Sequence, residues 1–148
     1  MTLSQIKQQQ ENLVRLSLQY AQQDLDMVLL QNKNITYAGI QSLNHPLYAK
    51  CRVDLKSALN EFQLACAFLS QCKKSKAINK RNNSYHLKHK LERFVGMYIS
   101  NGSIIAGAIA LGIKYEVDGP NVWLAISKEL PITDEVNEIA MAIRKSAA

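Results

Sequence analysis

The stretch from Ser84 to Gly112, SYHLKHKLERFVGMYISNGSIIAGAIALG, holds two of the three histidines and four of the six glycines of this 148-residue chain. Its first half is predicted to form a helix with Ser84 as the N-cap residue. The apolar residues of this helix recur at the spacing that lines one helical face, and they are Leu87, Leu91, Phe94, Val95 and Tyr98. The rest of the chain is expected to pack against that face.

The opposite face of the same helix is predicted to carry a cationic strip. At about 100° per residue its members fall together, and they are His86, His89, Arg93 and Gly96. A glycine at one end of the strip is expected to leave space for a backbone or a phosphate group to come close.

The second half of the stretch is predicted to be a turn followed by a second helix. Ser100, Asn101 and Gly102 are expected to break the first helix, because Asn and Gly tolerate the left-handed backbone conformation, and Ser103 can cap the next helix. That helix, Ile104 to Leu111, is apolar on all sides and is therefore predicted to be buried. Because it offers no donors or acceptors to base edges, it is not expected to act as the recognition helix of a winged helix-turn-helix.

The whole chain is predicted to be a single mostly α domain, a helical bundle. Leu3 to Asn32 and Leu47 to Cys72 are expected to be two long helices that form a hairpin. The segment 73–83 is expected to be a mobile basic connection to a C-terminal α+β half. That half adds a small β-hairpin between Lys114 and Ser127 and a last helix opened by Pro131 and Thr133.

The excess of positive charge is confined to one segment. The formal net charge is +6, and the segment from Lys73 to Arg93 holds eight Lys and Arg against one acid, so the remainder of the chain carries −1. Such a segment is typical of a surface that meets nucleic acid or an acidic protein, although a solvated surface gives the same pattern. The predicted binding residues are Lys73, Lys74, Lys76, Lys80, Arg81, His86, His89, Lys90 and Arg93.

The cysteines and the apolar segments bear on compartment and oligomeric state. Cys51, Cys66 and Cys72 are 15 and 6 residues apart, which matches no zinc or redox pattern, and their odd number argues against a disulfide framework and favours a reduced, cytoplasmic protein. Met1 to Gln10 is polar, so no secretory signal is expected there. Phe94 to Ile113 is uncharged, but a polar Ser-Asn-Gly-Ser turn interrupts it, so no membrane partner is expected. Two apolar seams on the N-terminal helix predict two neighbours, and its Gln-rich start, Gln5 to Gln10, could project from the body or pair with another subunit in a homo-oligomer.

No cofactor and no metal site are predicted. His86 and His89 are spaced to share a metal ion, with Glu92 or His45 as a third ligand, but the surrounding Lys and Arg residues repel a cation. The same two histidines beside Arg93 could begin a phosphodiester-cleaving site, since His exchanges protons near neutral pH.

Three short segments resemble a pattern in short proteins of bacterial plasmids, prophages and integrative elements. The segments are Tyr85-His86-Leu87-Lys88-His89 with Glu92, Tyr98-Ile99-Ser100-Asn101-Gly102 with Ile105-Ala106, and Gly119-Pro120-Asn121. The resemblance covers about Ser84 to Ile126 and implies a mobile-element context without a mechanism.

The residues leave three functions open. The first is a small nucleic-acid-binding accessory or regulatory protein of a mobile element. The second is an interaction module that inhibits or adapts a host nucleic-acid machine, as an anti-defence inhibitor does. The third is a phosphodiester enzyme that uses His86 and His89.

Overall fold

A computed structural model describes residues 1–147, which form seven helices and five strands. The helices are α1 (Leu3–Ser17), α2 (Gln22–Gln31), α3 (Tyr48–Lys56), α4 (Leu59–Gln71), α5 (Ser84–Val95), α6 (Asn101–Ala110) and α7 (Asp134–Ala147). The strands are β1 (Ile35–Thr36), β2 (Gly39–Ile40), β3 (Lys74–Asn83), β4 (Tyr115–Asp118) and β5 (Asn121–Ile126). The predicted mostly α class is confirmed, with more β structure than a single hairpin.

The two long helices predicted from the sequence are wrong in length, because each is divided into two. The first breaks between α1 and α2, where the Gln63 side chain donates to the carbonyl of Tyr20 at 2.7 Å. The second breaks between α3 and α4, where Gln22 donates to the carbonyl of Lys56 at 3.0 Å. Carbonyls released at each break are therefore satisfied from a distant part of the chain, which makes the breaks tolerable.

The core is centred on α4 and α6. Buried side chains from all seven helices of the described chain belong to one hydrophobic cluster. The prediction that the apolar second helix is buried is confirmed from Ile104 to Ala108. A Cβ on Gly107 would lie 3.3 Å from both the Ala65 Cβ and the Cys66 backbone nitrogen, so this glycine lets α6 approach α4 closely.

The predicted β-hairpin is confirmed, since β4 and β5 pair antiparallel between Lys114 and Ser127. The segment 73–83 is not a mobile connection as predicted: it contains β3, which pairs with β5 in a sheet of order β3-β5-β4. The register shifts twice along β3, so its ten residues lie opposite only four of β5, from Trp123 to Ile126. A polar sequence is compatible with this strand because it lies at the sheet edge and is largely exposed.

The ends of α5 and α6 differ from the prediction. Gly96, with φ +76°, ends α5, and Ser100 caps α6 by accepting from the Ser103 backbone N–H at 3.0 Å. Asn83 rather than Ser84 caps α5. Asn101 and Gly102 are therefore the first residues of α6, and a Cβ on Gly102 would lie 1.8 Å from the Thr36 carbonyl oxygen. Glycine is required there for close approach and does not break a helix.

The last helix begins as predicted. The Thr133 hydroxyl accepts from the backbone N–H of Val136 at 3.1 Å, and acidic residues occupy the first turn of α7 while basic ones occupy the last. Val136 and Ala140 bury one face of this helix. In residues 1–147, no helix combines the length and the apolar character that crossing a lipid bilayer requires.

Candidate functional site

A cleft of about 600 Å³ opens where α5, α6, the β1–β2 hairpin and the β4–β5 turn meet. We call it the tyrosine cleft, and its lining residues are Tyr37, Ala38, Tyr85, Lys88, His89, Tyr98, Asn101, Pro120 and Asn121. Most of them belong to the three segments on which the mobile-element resemblance rests. Segments that are distant in sequence are therefore brought to one surface.

A buried ion pair supports the α5 side of the cleft. Lys88 is 4% exposed, and its Nζ donates to Glu92 Oε1 at 2.6 Å, one helical turn away. The same carboxylate contacts His89 Nδ1 at 2.9 Å and accepts from the backbone N–H of Ile99 at 3.2 Å. Burial alone raises the pKa of Glu92, but the hydrogen bonds from Lys88, Ile99 and His89 outweigh burial and hold that pKa below its ordinary value. Glu92 is therefore ionised at neutral pH and neutralises Lys88.

Two exposed tyrosine rings flank the Lys88 ammonium group. Lys88 Nζ lies 4.3 Å from the centroid of the Tyr98 ring and 5.7 Å from that of Tyr85. Tyr98 and Tyr85 nevertheless remain 57% and 49% exposed. The His89 ring packs against Tyr85 edge to face, with centroids 4.5 Å apart. The prediction that Tyr98 lies on the buried face of a helix is wrong. Gly96 ends α5, and Tyr98 lies exposed in the loop between α5 and α6.

Asn101 fixes the base of the cleft. Its side-chain Nδ2 donates to the carbonyls of Ala38 at 3.3 Å and Pro120 at 3.1 Å and to Asn121 Oδ1 at 2.9 Å. The Pro120 carbonyl also accepts from the backbone N–H of Ile40 at 2.8 Å. One side chain thus joins α6, the β1–β2 hairpin and the β4–β5 turn. Its Oδ1 is buried and has no hydrogen-bond partner within residues 1–147.

The third tyrosine is held from α4. The Tyr37 hydroxyl donates to Glu61 Oε2 at 2.8 Å, while Glu61 Oε1 accepts from the backbone N–H of Ser100 at 2.6 Å. Burial, and then the hydrogen bond to the Glu61 carboxylate, raises the pKa of Tyr37 above its usual range. The Tyr37 and Tyr98 rings are 6.1 Å apart, so the ring of Tyr37 is positioned beside that of Tyr98.

The predicted binding residues of segment 73–83 lie along β3, except for Lys73, which immediately precedes it. Together with Lys128, which lines two hollows beside this strand, they form the basic face: Lys73, Lys74, Lys76, Lys80, Arg81 and Lys128. Lys74 donates to the Leu111 carbonyl at 3.0 Å, and Lys80 lies 3.4 Å from Glu116 with both side chains exposed. The side chains of Lys73, Lys76 and Arg81 form no ion pair or hydrogen bond within the described part of the chain.

The predicted binding residues of α5 are divided among three environments. His86 and Arg93 are exposed on the outer face, whereas His89 turns into the tyrosine cleft. Lys90 faces α7, where it donates to Asp134 Oδ1 at 2.8 Å and lowers the pKa of that carboxyl group. The predicted space beside Gly96 is not empty, because a Cβ there would lie 2.6 Å from the Arg144 side chain. Arg144 in turn donates to the carbonyls of Arg93 and Phe94 at the end of α5.

The histidines do not converge. His45 Nδ1 accepts from the backbone N–H of Leu47 at 3.0 Å, within its own loop. Among the residues that the structure describes, no three His, Cys, Asp or Glu side chains lie close enough together to hold a metal ion.

Sequence reasoning missed the three tyrosines of the cleft, Lys128 and Arg144 as site residues. Tyr37 and Lys128 stand in segments without a regular period, and Arg144 is one of two basic residues at the end of a helix. Tyr98 shares the spacing of the buried residues of α5, and Tyr85 belongs only to the resemblance. A local pattern carries no signal for such positions, because their neighbours come from other elements.

Comparison of the chain with protein-family models, with curated proteins and with solved structures found no match in any of the three. The resemblance to mobile-element proteins therefore stays a prediction.

Proposed function

We propose that this chain is a nucleic-acid-binding accessory or regulatory protein of a mobile genetic element, and that its basic face contacts phosphate groups. Contacts of this kind give affinity that falls with salt and carries little sequence information. The observation that supports the proposal is the position of β3, an edge strand whose Lys and Arg side chains are exposed.

The charges of the basic face are available for a ligand. Lys73, Lys76 and Arg81 have no internal partner within residues 1–147, and the Lys80 pair with Glu116 is exposed and therefore weak. β3 also leads directly into α5, whose outer face presents His86 and Arg93. A phosphate backbone that follows β3 toward α5 would thus meet one cation after another.

Other modes of recognition fit this surface less well. Most of α6 is buried, from Asn101 to Ala108. This helix therefore presents no exposed face that could enter a DNA groove. Addition of a partner strand to β3 is disfavoured because lysines and register shifts are features that protect sheet edges from pairing. Contacts from long cationic side chains do not require a regular edge.

Fluorescence anisotropy with a labelled oligonucleotide and with its duplex, between about 50 and 200 mM salt, tests the proposal. The variant Lys73→Glu/Lys76→Glu/Arg81→Glu leaves every internal contact of the basic face in place. We expect it to weaken binding and to reduce the slope of log K against log salt by about three, one for each cation.

The matched control is Lys7→Glu/Lys33→Glu/Lys56→Glu, which changes exposed lysines on other elements. Both variants lower the formal net charge from +6 to 0. Equal weakening by both would show that only total charge matters and that the basic face is not the site. Capture of an acidic protein that survives nuclease treatment, without binding to either oligonucleotide, would favour the inhibitor or adaptor function instead.

A further inference from the structure

We infer that the tyrosine cleft receives an unpaired nucleobase, which makes single-stranded nucleic acid the preferred ligand. This inference rests on the proposed function, since it assumes that a phosphate backbone lies on the adjacent basic face. It adds a ligand class and a second set of contacting residues, in which Tyr85 and Tyr98 bind bases and the cations bind phosphates.

The two rings are held in place and still open to a ligand. Lys88 contacts the Tyr98 ring, and the His89 and Tyr85 rings pack edge to face, yet about half of each tyrosine remains exposed. Base stacking on aromatic side chains is tolerant of sequence because every base has a flat π face. Rings that are already fixed lose little conformational freedom when a base stacks on them.

The charge distribution separates bases from phosphates. In the wall of the cleft, the charge of Lys88 is neutralised by Glu92 at 2.6 Å, so the space suits a neutral planar group. Outside the cleft, Tyr98 also lines a second hollow together with Glu92, Arg93 and Arg144. Arg81 of the basic face is four residues before Tyr85, which places their Cα atoms at most about 14 Å apart. Cations therefore stand near a neutral aromatic cleft.

Other ligands of an aromatic site are less suitable. A quaternary ammonium group would bring a second positive charge close to the Lys88 ammonium, which already lies between Tyr85 and Tyr98. A small free anion would find no unpaired positive charge at Lys88, because Glu92 already pairs with it. The cleft volume of about 600 Å³ falls within the range usual for sites that hold small organic groups.

The first test compares Tyr85→Ala/Tyr98→Ala with Tyr85→Phe/Tyr98→Phe in anisotropy titrations with a single-stranded oligonucleotide and with its duplex. The Ala variant should bind the single strand about 5- to 150-fold more weakly for each stacked base lost, with the duplex affinity and the salt slope unchanged. The Phe variant keeps the rings and should bind like the parent. Equal loss in both variants would refute stacking.

The second test needs no variant and so does not depend on the folding of one. The parent protein is titrated with a single strand that carries abasic sites and with the intact strand of equal length and charge. We expect the abasic strand to bind more weakly by a factor similar to that of the Ala variant. Equal, salt-dependent binding of both strands would overturn the base site and leave the proposed function standing, whereas the absence of salt-dependent binding to any nucleic acid would overturn both.

Discussion

Replacement of Glu92 by Gln should lower the free energy of unfolding more than replacement of any single exposed residue. The carboxylate accepts from Lys88, His89 and the Ile99 backbone, and hydrogen bonds to a charged group contribute about 1.5–3 kcal/mol each. Gln keeps one acceptor and presents an NH₂ group to donors, so it leaves the 4% exposed Lys88 ammonium without a counter-charge. Removal of one partner of a buried pair costs about 3–5 kcal/mol, and because the Glu92 side chain is 18% exposed we expect the lower end of that range.

Urea unfolding at pH 7 of the parent, Glu92→Gln, Lys88→Met and Lys88→Met/Glu92→Gln measures this effect. Because the double variant removes both charges, it should lose less free energy of unfolding than Glu92→Gln alone. A loss below about 1 kcal/mol in Glu92→Gln, or a double variant whose loss equals the sum of the two single losses, would refute the role assigned to the pair.

The same pair predicts the direction of the pH dependence. Since the pKa of Glu92 in the folded protein lies below its ordinary value of 4.5, the unfolded chain binds more protons when the pH falls below that value. The stability that Glu92 contributes is therefore complete above about pH 4.5 and is lost as the pH falls through the folded pKa. The difference in free energy of unfolding between the parent and Glu92→Gln should become smaller as the pH falls below about 4.5. A difference that stays constant down to acidic pH would contradict the role assigned to the Glu92 carboxylate.

Two further predictions concern the core. Gly107→Leu should lower the free energy of unfolding by about 1–3 kcal/mol, because α4 leaves no space for the side chain. The control Ala110→Leu changes an exposed position of the same helix and should melt like the parent. Equal melting temperatures of the two variants would contradict the close packing of α6. Burial raises the pKa of Cys66 and of Cys72 to about 12, so iodoacetamide at pH 8 should modify only the partly exposed Cys51 until denaturant is added. Mass spectrometry of the digested protein identifies the modified cysteines. Rapid modification of Cys66 in the native protein would show that α4 opens readily.

The sequence by itself determined the elements in which apolar residues recur at a regular spacing. Ile104 to Ala108 could be assigned to the interior because each side chain there is apolar or small, and the buried face of α5 followed from the spacing of Leu87, Leu91 and Phe94. The β4–β5 hairpin followed from alternation around a turn-forming segment. Burial of apolar surface depends mainly on the residue itself, so it can be predicted without knowledge of the partner.

The tertiary structure alone decided features that depend on a hydrogen-bond partner far along the chain. β3 is polar, and it is a strand because β5, about forty residues later, supplies its pairing groups. The helix breaks depend on Gln63 and Gln22, and the tyrosine cleft depends on Asn101, whose amide binds two distant turns. Backbone carbonyls and amides are the same in every residue, so the sequence around them does not reveal which distant donor will satisfy them. For that reason the excess of positive charge was evident from the sequence, whereas its division between β3 and the different faces of α5 required the fold.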